Sequence, residues 1–235
     1  MEKRLSPEQL RLARLGAGLT QHQAADRLGV SQGYLALIER GRRPVTARLE
    51  SRMVELYGFG PLALPLCVPK PGVWDPASLS AGLAAGLASL GYPGFRQLTG
   101  APAQNPATLL LAAMAATDVE VRVIEALPWL VVEYNNLDWE WLIREAKVRD
   151  VQNRLGFIVT LARQIAEKQG GGSAAVRLRG VEESLERSRL VCEDTLCQTS
   201  LSDAERRWLR QARPSEARHW NLLTDLRAEV LPYAA

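Results

Sequence analysis

The stretch from Leu19 to Gly41 constrains the fold most, because it encodes two short amphipathic helices separated by a tight turn. Thr20 can cap the first helix, and Gln23 lies where it can complete a capping box. Gly29 provides the conformational freedom that a sharp turn requires, and Ser31 can cap the second helix. The glycine that closes the stretch is typical of a helix C-terminus. Two helices joined in this way form a helix-turn-helix motif.

The segment around this motif, about residues 5–58, resembles the Cro/C1-type (XRE) helix-turn-helix family. The resemblance implies a lambda-repressor-like domain of four or five helices that binds double-stranded DNA. It also implies that Arg14 in the first helix pairs with Glu39 at the end of the recognition helix, where the alternative is two unrelated surface charges. An αα-hairpin with accidental spacing is the alternative for the whole motif, but it would not explain the basic residues that follow. The matching positions are Arg14, Gly18, Leu19, Thr20, Gln21, Ala25, Leu28, Gly29, Val30, Ser31, Ile38, Glu39, Arg40, Gly41, Arg42, Arg43 and Pro44.

Positive charge is concentrated in this same segment. Residues 1–58 contain ten Lys or Arg and six Asp or Glu, which gives +4, whereas the whole chain carries +3, so the remainder carries −1. A DNA-binding surface needs such an excess to neutralise phosphates. A balance of this size also occurs on ordinary helical surfaces, so it supports the motif without establishing it.

The second helix of the motif should read DNA through its N-terminal end and the next turn. Gln32 is the best candidate for a base contact, because its amide can pair bidentately with adenine. Gly33 would let the helix approach the groove closely, and Tyr34 could reach a base edge or a phosphate. Leu37 either contacts a thymine methyl group or belongs to the core. Ser31 completes the predicted contact set on this helix.

Three further residues are expected to contact the phosphate backbone. Gln21 opens the first helix of the motif, where the helix N-terminus favours an anion. Arg42 and Arg43 lie in the loop after the recognition helix, although a solvated charged turn would also explain them.

The chain divides by composition into three parts. Residues 1–60 form the predicted DNA-binding domain, residues 61–76 are a proline-rich linker, and residues 77–235 form a larger helical domain. No helix can continue through the prolines of the linker. The sequence therefore predicts an all-α protein with two domains.

Within the larger domain, the sequence makes several local predictions. Asp118 should cap a helix that is interrupted at Pro128, and residues 129–134 should form a buried helix because no partner strand is visible. Asp138 and Ser202 should cap later helices, and the predicted helices at the end of the chain are 174–192, 203–212 and 215–231. Trp208, His219 and Trp220 are predicted to lie in the core.

Two stretches of the larger domain could form a partner-binding surface. Trp139 and Trp141 belong to an aromatic and amide-rich stretch, and Gln152, Asn153 and Arg154 place polar groups between two apolar helices. Trp and Arg are enriched in binding hot spots. The alternative is a core tryptophan pair and a polar helix junction with satisfied hydrogen bonds, which the sequence favours.

The sequence contains few signals for other functional classes. Three cysteines and two histidines form no zinc-ligand spacing, and the small odd cysteine count is typical of reduced thiols in a cytoplasmic protein. No apolar signal segment or membrane span is expected. The usual nucleophile, phosphate-binding and dinucleotide-binding motifs do not occur, so we expect no enzymatic activity, no metal and no cofactor.

The sequence therefore predicts a DNA-binding transcription regulator, most simply a repressor that acts as a homodimer on a palindromic operator. An autoregulating antitoxin that holds a cognate toxin through its C-terminal domain is a further hypothesis, which rests on analogy with the family. Two alternatives remain: a ligand-sensing regulator with a tryptophan-lined pocket, and a protein-binding adaptor.

Overall fold

The computed structural model describes residues 5–68, 76–98, 101 and 104–234, and it divides the chain into two compact units, Met1–Cys67 and Val68–Ala235. The structure is 63% helical and 2% strand, which confirms the prediction of an all-α protein. Of the predicted linker, residues 61–67 belong to the first unit and include a short 3-10 turn at Pro61–Ala63, while residues 69–75 lie outside the described residues.

Within residues 5–67, four helices build the first unit, and each begins at a residue whose side-chain oxygen accepts a backbone N–H. Ser6 and Thr20 form complete capping boxes with Gln9 and Gln23, as their spacing predicts. These capped starts, with glycines after the second and fourth helices, set the helix limits. The helices are α1 (Pro7–Gly16), α2 (Gln21–Leu28), α3 (Gln32–Glu39) and α4 (Ala47–Tyr57).

The apolar faces of these helices meet in one small core, in which α1 packs on α3 and α4, and α2 packs on the same two helices. In α1 the positions that face this core are Leu10 and Arg14, whereas Leu12 and Leu15 are exposed. One face of α1 is therefore apolar but not covered within the core. The core residues are Leu10, Leu19, Ala24, Ala25, Leu28, Leu35, Ile38, Val45, Leu49, Met53 and Tyr57.

The second unit contains eight helices and one pair of very short strands within the described residues. Short 3-10 turns at Pro93–Phe95 and Ala228–Val230 complete it. Its elements are α5 (Pro76–Ser89), α6 (Pro106–Ala115), α7 (Val121–Glu133), α8 (Trp139–Val148), α9 (Gln152–Lys168), α10 (Gly172–Glu186), β1 (Asp194–Thr195), α11 (Asp203–Ala212), α12 (Ser215–His219) and β2 (Leu222–Leu223).

Helix α9 forms the centre of the second unit, because α7, α8, α10 and α12 all pack against it. Gly156 lets the Trp220 indole lie directly on the helix, since a Cβ at this position would come within 2.5 Å of the ring. The indole Nε1 then donates to Thr160 Oγ1 over 2.9 Å. The prediction that Trp220 is a core residue is confirmed, because its side chain is fully buried.

Helix α7 continues through Pro128, which corrects the prediction that the helix is interrupted there. The Tyr233 hydroxyl lies between the two backbone groups that a regular helix would join at this point. It accepts a hydrogen bond from the Trp129 N–H at 3.2 Å and donates one to the Glu125 carbonyl oxygen. A side chain more than a hundred residues away along the sequence therefore satisfies the backbone next to the proline.

The C-terminal part of the chain differs most from the predictions. The predicted helix over 215–231 is wrong: α12 ends at His219, Asn221 adopts a positive φ of 53°, and Leu222–Leu223 pair in parallel with Asp194–Thr195. The predicted helix over 174–192 is shorter and ends at Glu186.

Three further local predictions are also wrong. Asp118 has a φ of 52° and does not cap α7, because its carboxylate accepts from Thr199 and Ser200 instead. Trp208 is 56% exposed, and the His219 side chain is 50% exposed, so neither belongs to the core.

Candidate nucleic-acid interface

The turn between α2 and α3 sets the orientation of the recognition helix. Gly29 adopts a φ of 64°, in the left-handed region that favours glycine, and its N–H donates to the Asp26 carbonyl oxygen. The Ser31 hydroxyl then accepts the Tyr34 N–H over 3.2 Å and starts α3. Ser31 thus has a defined structural task at the helix start, and its side chain is exposed at the predicted interface.

Helix α3 buries one face and exposes the other. Leu35 and Ile38 lie in the core of the first unit with at most 1% of their surface exposed. Gln32 and Gly33 are exposed, and Leu37 shares their face, with 36% of its surface exposed. Leu37 is therefore outside the core, which leaves the contact with a thymine methyl group as its proposed role.

The remaining positions of this helix refine the face further. Tyr34 is half-buried, with its side chain packed against the core, so only part of the ring is available to DNA. A Cβ at Gly33 would meet no atom within 4 Å, so the backbone of α3 is open to close approach at this position.

A buried ion pair fixes the end of α3 to α1. Arg14 Nε donates to Glu39 Oε1 over 2.6 Å, and Nη2 donates to Oε2 over 3.1 Å, in a bidentate arrangement. The third donor, Arg14 Nη1, reaches the Leu19 carbonyl oxygen at 2.7 Å. The same Glu39 carboxylate accepts Gln21 Nε2 over 2.8 Å. One carboxylate therefore ties together the first helix, the start of α2 and the recognition helix.

This arrangement shifts the titration of both partners. Burial alone would raise the pKa of Glu39, but the hydrogen bonds from Arg14 and Gln21 and the guanidinium charge outweigh it and hold the pKa below its usual value. The hydrogen bond to Glu39 raises the pKa of Arg14. Tyr57 lies close enough to be influenced by both charges, and burial raises its pKa to about 12. The pair is therefore charged across the physiological range.

Gln21 is placed differently from a side chain that is free to reach a phosphate. It is half-buried, and its amide nitrogen is directed to Glu39. An amide nitrogen has a second N–H, and the opening N–H groups of a helix have no partner within the helix. A phosphate contact by Gln21 and the start of α2 stays a prediction that this geometry permits.

The basic turn after α3 is held by backbone hydrogen bonds and exposes its side chains. The N–H groups of Arg42 and Arg43 both donate to the Leu37 carbonyl oxygen, at 2.8 and 3.3 Å. Gly41 has a φ of 70°, and a Cβ there would contact Pro7 of α1 at 3.3 Å. The turn is thus packed against the first helix, while the two guanidinium groups lie at the surface.

Arg40 belongs to the same surface, although it is not among the residues predicted to contact DNA. It is exposed at the end of α3 and lies four and seven positions from Ala36 and Gly33, on the face that carries Leu37. The helical spacing from Gly33 is the signal that could have identified it. The candidate interface consists of Gln21, Ser31, Gln32, Gly33, Tyr34, Leu37, Arg40, Arg42 and Arg43.

The predicted partner-binding residues of the second unit separate into two groups. Gln152, Asn153 and Arg154 are buried, so they form no exposed partner surface, and the hypothesis for these three residues is wrong. The Asn153 amide exchanges hydrogen bonds with both backbone groups of Leu190. Arg154 binds the Asp194 carboxylate through two nitrogens, at 2.7 and 3.0 Å. These residues form a polar helix junction with internal partners.

The two tryptophans differ from each other. Trp141 is 4% exposed and belongs to the core, so its predicted partner contact is also wrong. Trp139 is half-buried and lines a surface groove.

Comparison with known proteins agrees with the geometry of the first unit. Residues 8–65, about a quarter of the chain, match a family model described as a helix-turn-helix domain, which supports a DNA-binding domain there. No match was found among curated proteins or among solved structures. Within the described residues, no helix combines the length and hydrophobicity that a membrane crossing requires.

Proposed function

We propose that this chain is a sequence-specific transcription regulator with a Cro/C1-type DNA-binding domain, and that it represses genes as a dimer on a palindromic operator. The observation that carries the proposal is the exposed face of α3, which is fixed to α1 by a buried ion pair and is followed by exposed arginines. A rigidly held helix with base-reading groups at its start and cations at its end is suited to major-groove binding.

The residues exposed along α3 support base contacts at its start and phosphate contacts at its end. Gln32 is the exposed amide side chain that can pair bidentately with adenine. Arg40, Arg42 and Arg43 supply sequence-independent affinity through phosphates. A single reading helix contacts few base pairs, so the proposed dimer, with half-sites about one helical turn apart, supplies the remaining specificity.

Selection of the full-length chain on a pool of random double-stranded DNA tests this proposal. We expect enrichment of two inverted half-sites whose centres lie about 10 base pairs apart. Enrichment of one unrepeated half-site would contradict the dimer, and failure to enrich any sequence would contradict sequence-specific binding.

Two variants on the selected duplex separate the two kinds of contact. Gln32→Ala should lose discrimination at one base position per half-site, by about 1–3 kcal/mol, while binding to other sequences is retained. Arg42→Ala combined with Arg43→Ala should weaken binding to all sequences and reduce the slope of log affinity against log salt by about 2 per protomer. Arg207→Ala combined with Arg218→Ala removes the same charge from exposed positions of the second unit and should leave both quantities unchanged.

For the second unit we propose a partner-binding role, of the kind found in an autoregulating antitoxin that holds a toxin. The hydrogen-bonded core around α9 provides a rigid support for such a surface. The test is co-expression of the full chain with the product of the neighbouring gene. Co-purification and a change in operator affinity would support this role, and two proteins that elute separately would contradict it.

A further inference from the structure

An amphipathic groove lies on the surface of the second unit between α8 and α10. It has a volume of about 640 Å³ and combines apolar and charged side chains. We call it the α8–α10 groove. Its lining residues are Trp139, Glu140, Ile143, Arg144, Lys147, Arg177, Gly180, Val181 and Ser184.

The two walls of the groove are helices that run side by side. Both α8 and α10 pack against α9, and Arg177 of α10 donates a hydrogen bond to the side-chain oxygen of Asn135, just before α8 begins. The segment that leads into α8 therefore lies next to the first half of α10. The lining of α8 extends over residues 139–147, which corresponds to about 12 Å, or slightly more than two helical turns.

The floor of the groove is apolar and has space for side chains from outside. Val181 is 7% exposed, while Trp139 and Ile143 are half-buried. A Cβ at Gly180 would meet no atom within 4 Å, so the middle of the α10 wall is open. Two further valines on these helices, Val148 of α8 and Val176 of α10, are 72% and 73% exposed. The groove can therefore bury apolar side chains of a partner against its floor.

The charges on the walls are mostly positive. Arg144 and Lys147 lie on one wall and Arg177 on the other. Glu140 is the one acidic residue among the described lining residues, so these residues together carry +2. Arg177 binds a neutral amide, and Lys147 forms no ion pair with any residue that the structure describes. Arg144 forms a long ion pair with Glu145, with 3.4 Å between its Nε and Glu145 Oε1, but its side chain is 58% exposed. These cations are available to carboxylates from a partner.

We propose that the α8–α10 groove binds an acidic amphipathic helix of a partner protein. About two turns of such a helix match the length of the groove, with an apolar stripe on Trp139, Ile143 and Val181 and carboxylates facing the cations of both walls. A nucleic acid would satisfy the cations but would leave the apolar floor without a partner. This inference rests on the partner-binding role proposed for the second unit and is independent of DNA binding by the first.

The test measures binding of two synthetic helical peptides to the full-length chain by fluorescence anisotropy. Both peptides have 14 residues with leucine on one stripe; the first carries glutamate on both flanks and the second carries lysine. We expect the acidic peptide to bind at least tenfold more tightly than the basic one. Equal binding of the two peptides, or binding of neither, would overturn the proposal.

Two sets of variants place the binding site in the groove. Gly180→Leu should fill the groove and weaken binding of the acidic peptide at least tenfold. Gly82→Leu is the matched control, because Gly82 is an exposed helical glycine in α5 with open space around it, and this change should have no effect. Charge reversal by Arg144→Glu with Lys147→Glu should invert the preference between the two peptides without filling the groove. Unchanged binding in either groove variant would contradict the proposal.

Two further measurements separate this inference from the others. A random 30-base-pair duplex that displaces the peptide from the wild-type chain would assign the groove to nucleic acid and overturn the proposal. The groove variants should select the same operator as the wild-type chain. If the peptides fail while operator selection succeeds, only the groove inference fails; if operator selection fails while the peptides bind, only the DNA-binding proposal fails.

Discussion

Neutralising Glu39 tests whether the buried ion pair holds the recognition helix in place. In the folded chain the side chains of Arg14 and Glu39 are only 6% and 2% exposed, and two hydrogen bonds join them. Glu39→Gln keeps the size and one acceptor oxygen but removes the charge. The Arg14 guanidinium would then remain buried with the Leu19 carbonyl oxygen and an amide as partners.

The expected cost follows from this uncompensated charge. Removing one partner of a buried pair typically costs about 3–5 kcal/mol. A unit of this size is stabilised by only about 3–9 kcal/mol in total. Glu39→Gln should therefore populate open forms of the first unit to a large extent, with α3 released from α1.

Hydrogen–deuterium exchange of the full-length chain measures this effect for each helix separately. Protection of the amides of α1 and α3 should fall by about 2.2 to 3.7 orders of magnitude, which corresponds to the 3–5 kcal/mol above. The amides of α9 in the second unit serve as the internal control and should keep their protection.

Removing both charges distinguishes a buried ion pair from simple loss of packing. Arg14→Met with Glu39→Leu replaces the pair by apolar side chains of similar size, and such replacements are often neutral or stabilising. We expect this double variant to recover most of the lost protection. A fall of less than tenfold in Glu39→Gln, or a double variant as unprotected as the single one, would refute the argument.

Three further predictions concern the second unit. Gly156→Ala should lower the free energy of unfolding of the second unit by about 1–3 kcal/mol in urea, because the added methyl group would overlap the Trp220 ring. Tyr233→Phe should cost about 1–3 kcal/mol in the same assay, because the backbone groups beside Pro128 lose the hydroxyl that joins them. The hydrogen bonds from the Ser200 N–H and from Thr199 lower the pKa of Asp118 from 3.8 to about 2. Its stabilising contribution is therefore present above about pH 4 and is lost as the pH falls towards 2. Asp118→Asn should remove this pH dependence. An NMR titration of the wild-type chain that gives Asp118 an ordinary pKa would contradict the prediction.

The first unit could be predicted closely because its determinants are local. Ser6, Thr20 and Ser31 each cap a helix through a bond to a residue three positions later, and Gly29 ends α2 within the same short stretch. Such signals need no knowledge of the rest of the fold. The orientation of Gln21 towards Glu39 was not predictable, because it depends on how α2 and α3 pack.

The second unit was less predictable because distant residues decide its details. Pro128 suggests a helix break, and only Tyr233, at the other end of the unit, explains why α7 continues. The parallel pairing of β1 with β2 joins segments that are too short to form a recognisable strand pattern. Likewise, the apolar character of Trp208 predicted burial, but the neighbouring elements leave it exposed.

The exposed face of α3 offers few side chains that could read base pairs, so one copy of the chain would recognise only a short stretch of DNA. Gly33 has no side chain for a base contact, Tyr34 is partly held by the core, and Leu37 can distinguish only a thymine methyl group. Under the proposed function, we therefore expect Gln32 to be the main source of direct discrimination on each protomer, and the arginines to add affinity without sequence information. Phosphate contacts form with any duplex. Useful specificity therefore requires two such helices at a defined spacing or a contribution from DNA shape. In the proposed dimer, we therefore expect the spacing between the two reading helices to contribute to operator choice together with Gln32.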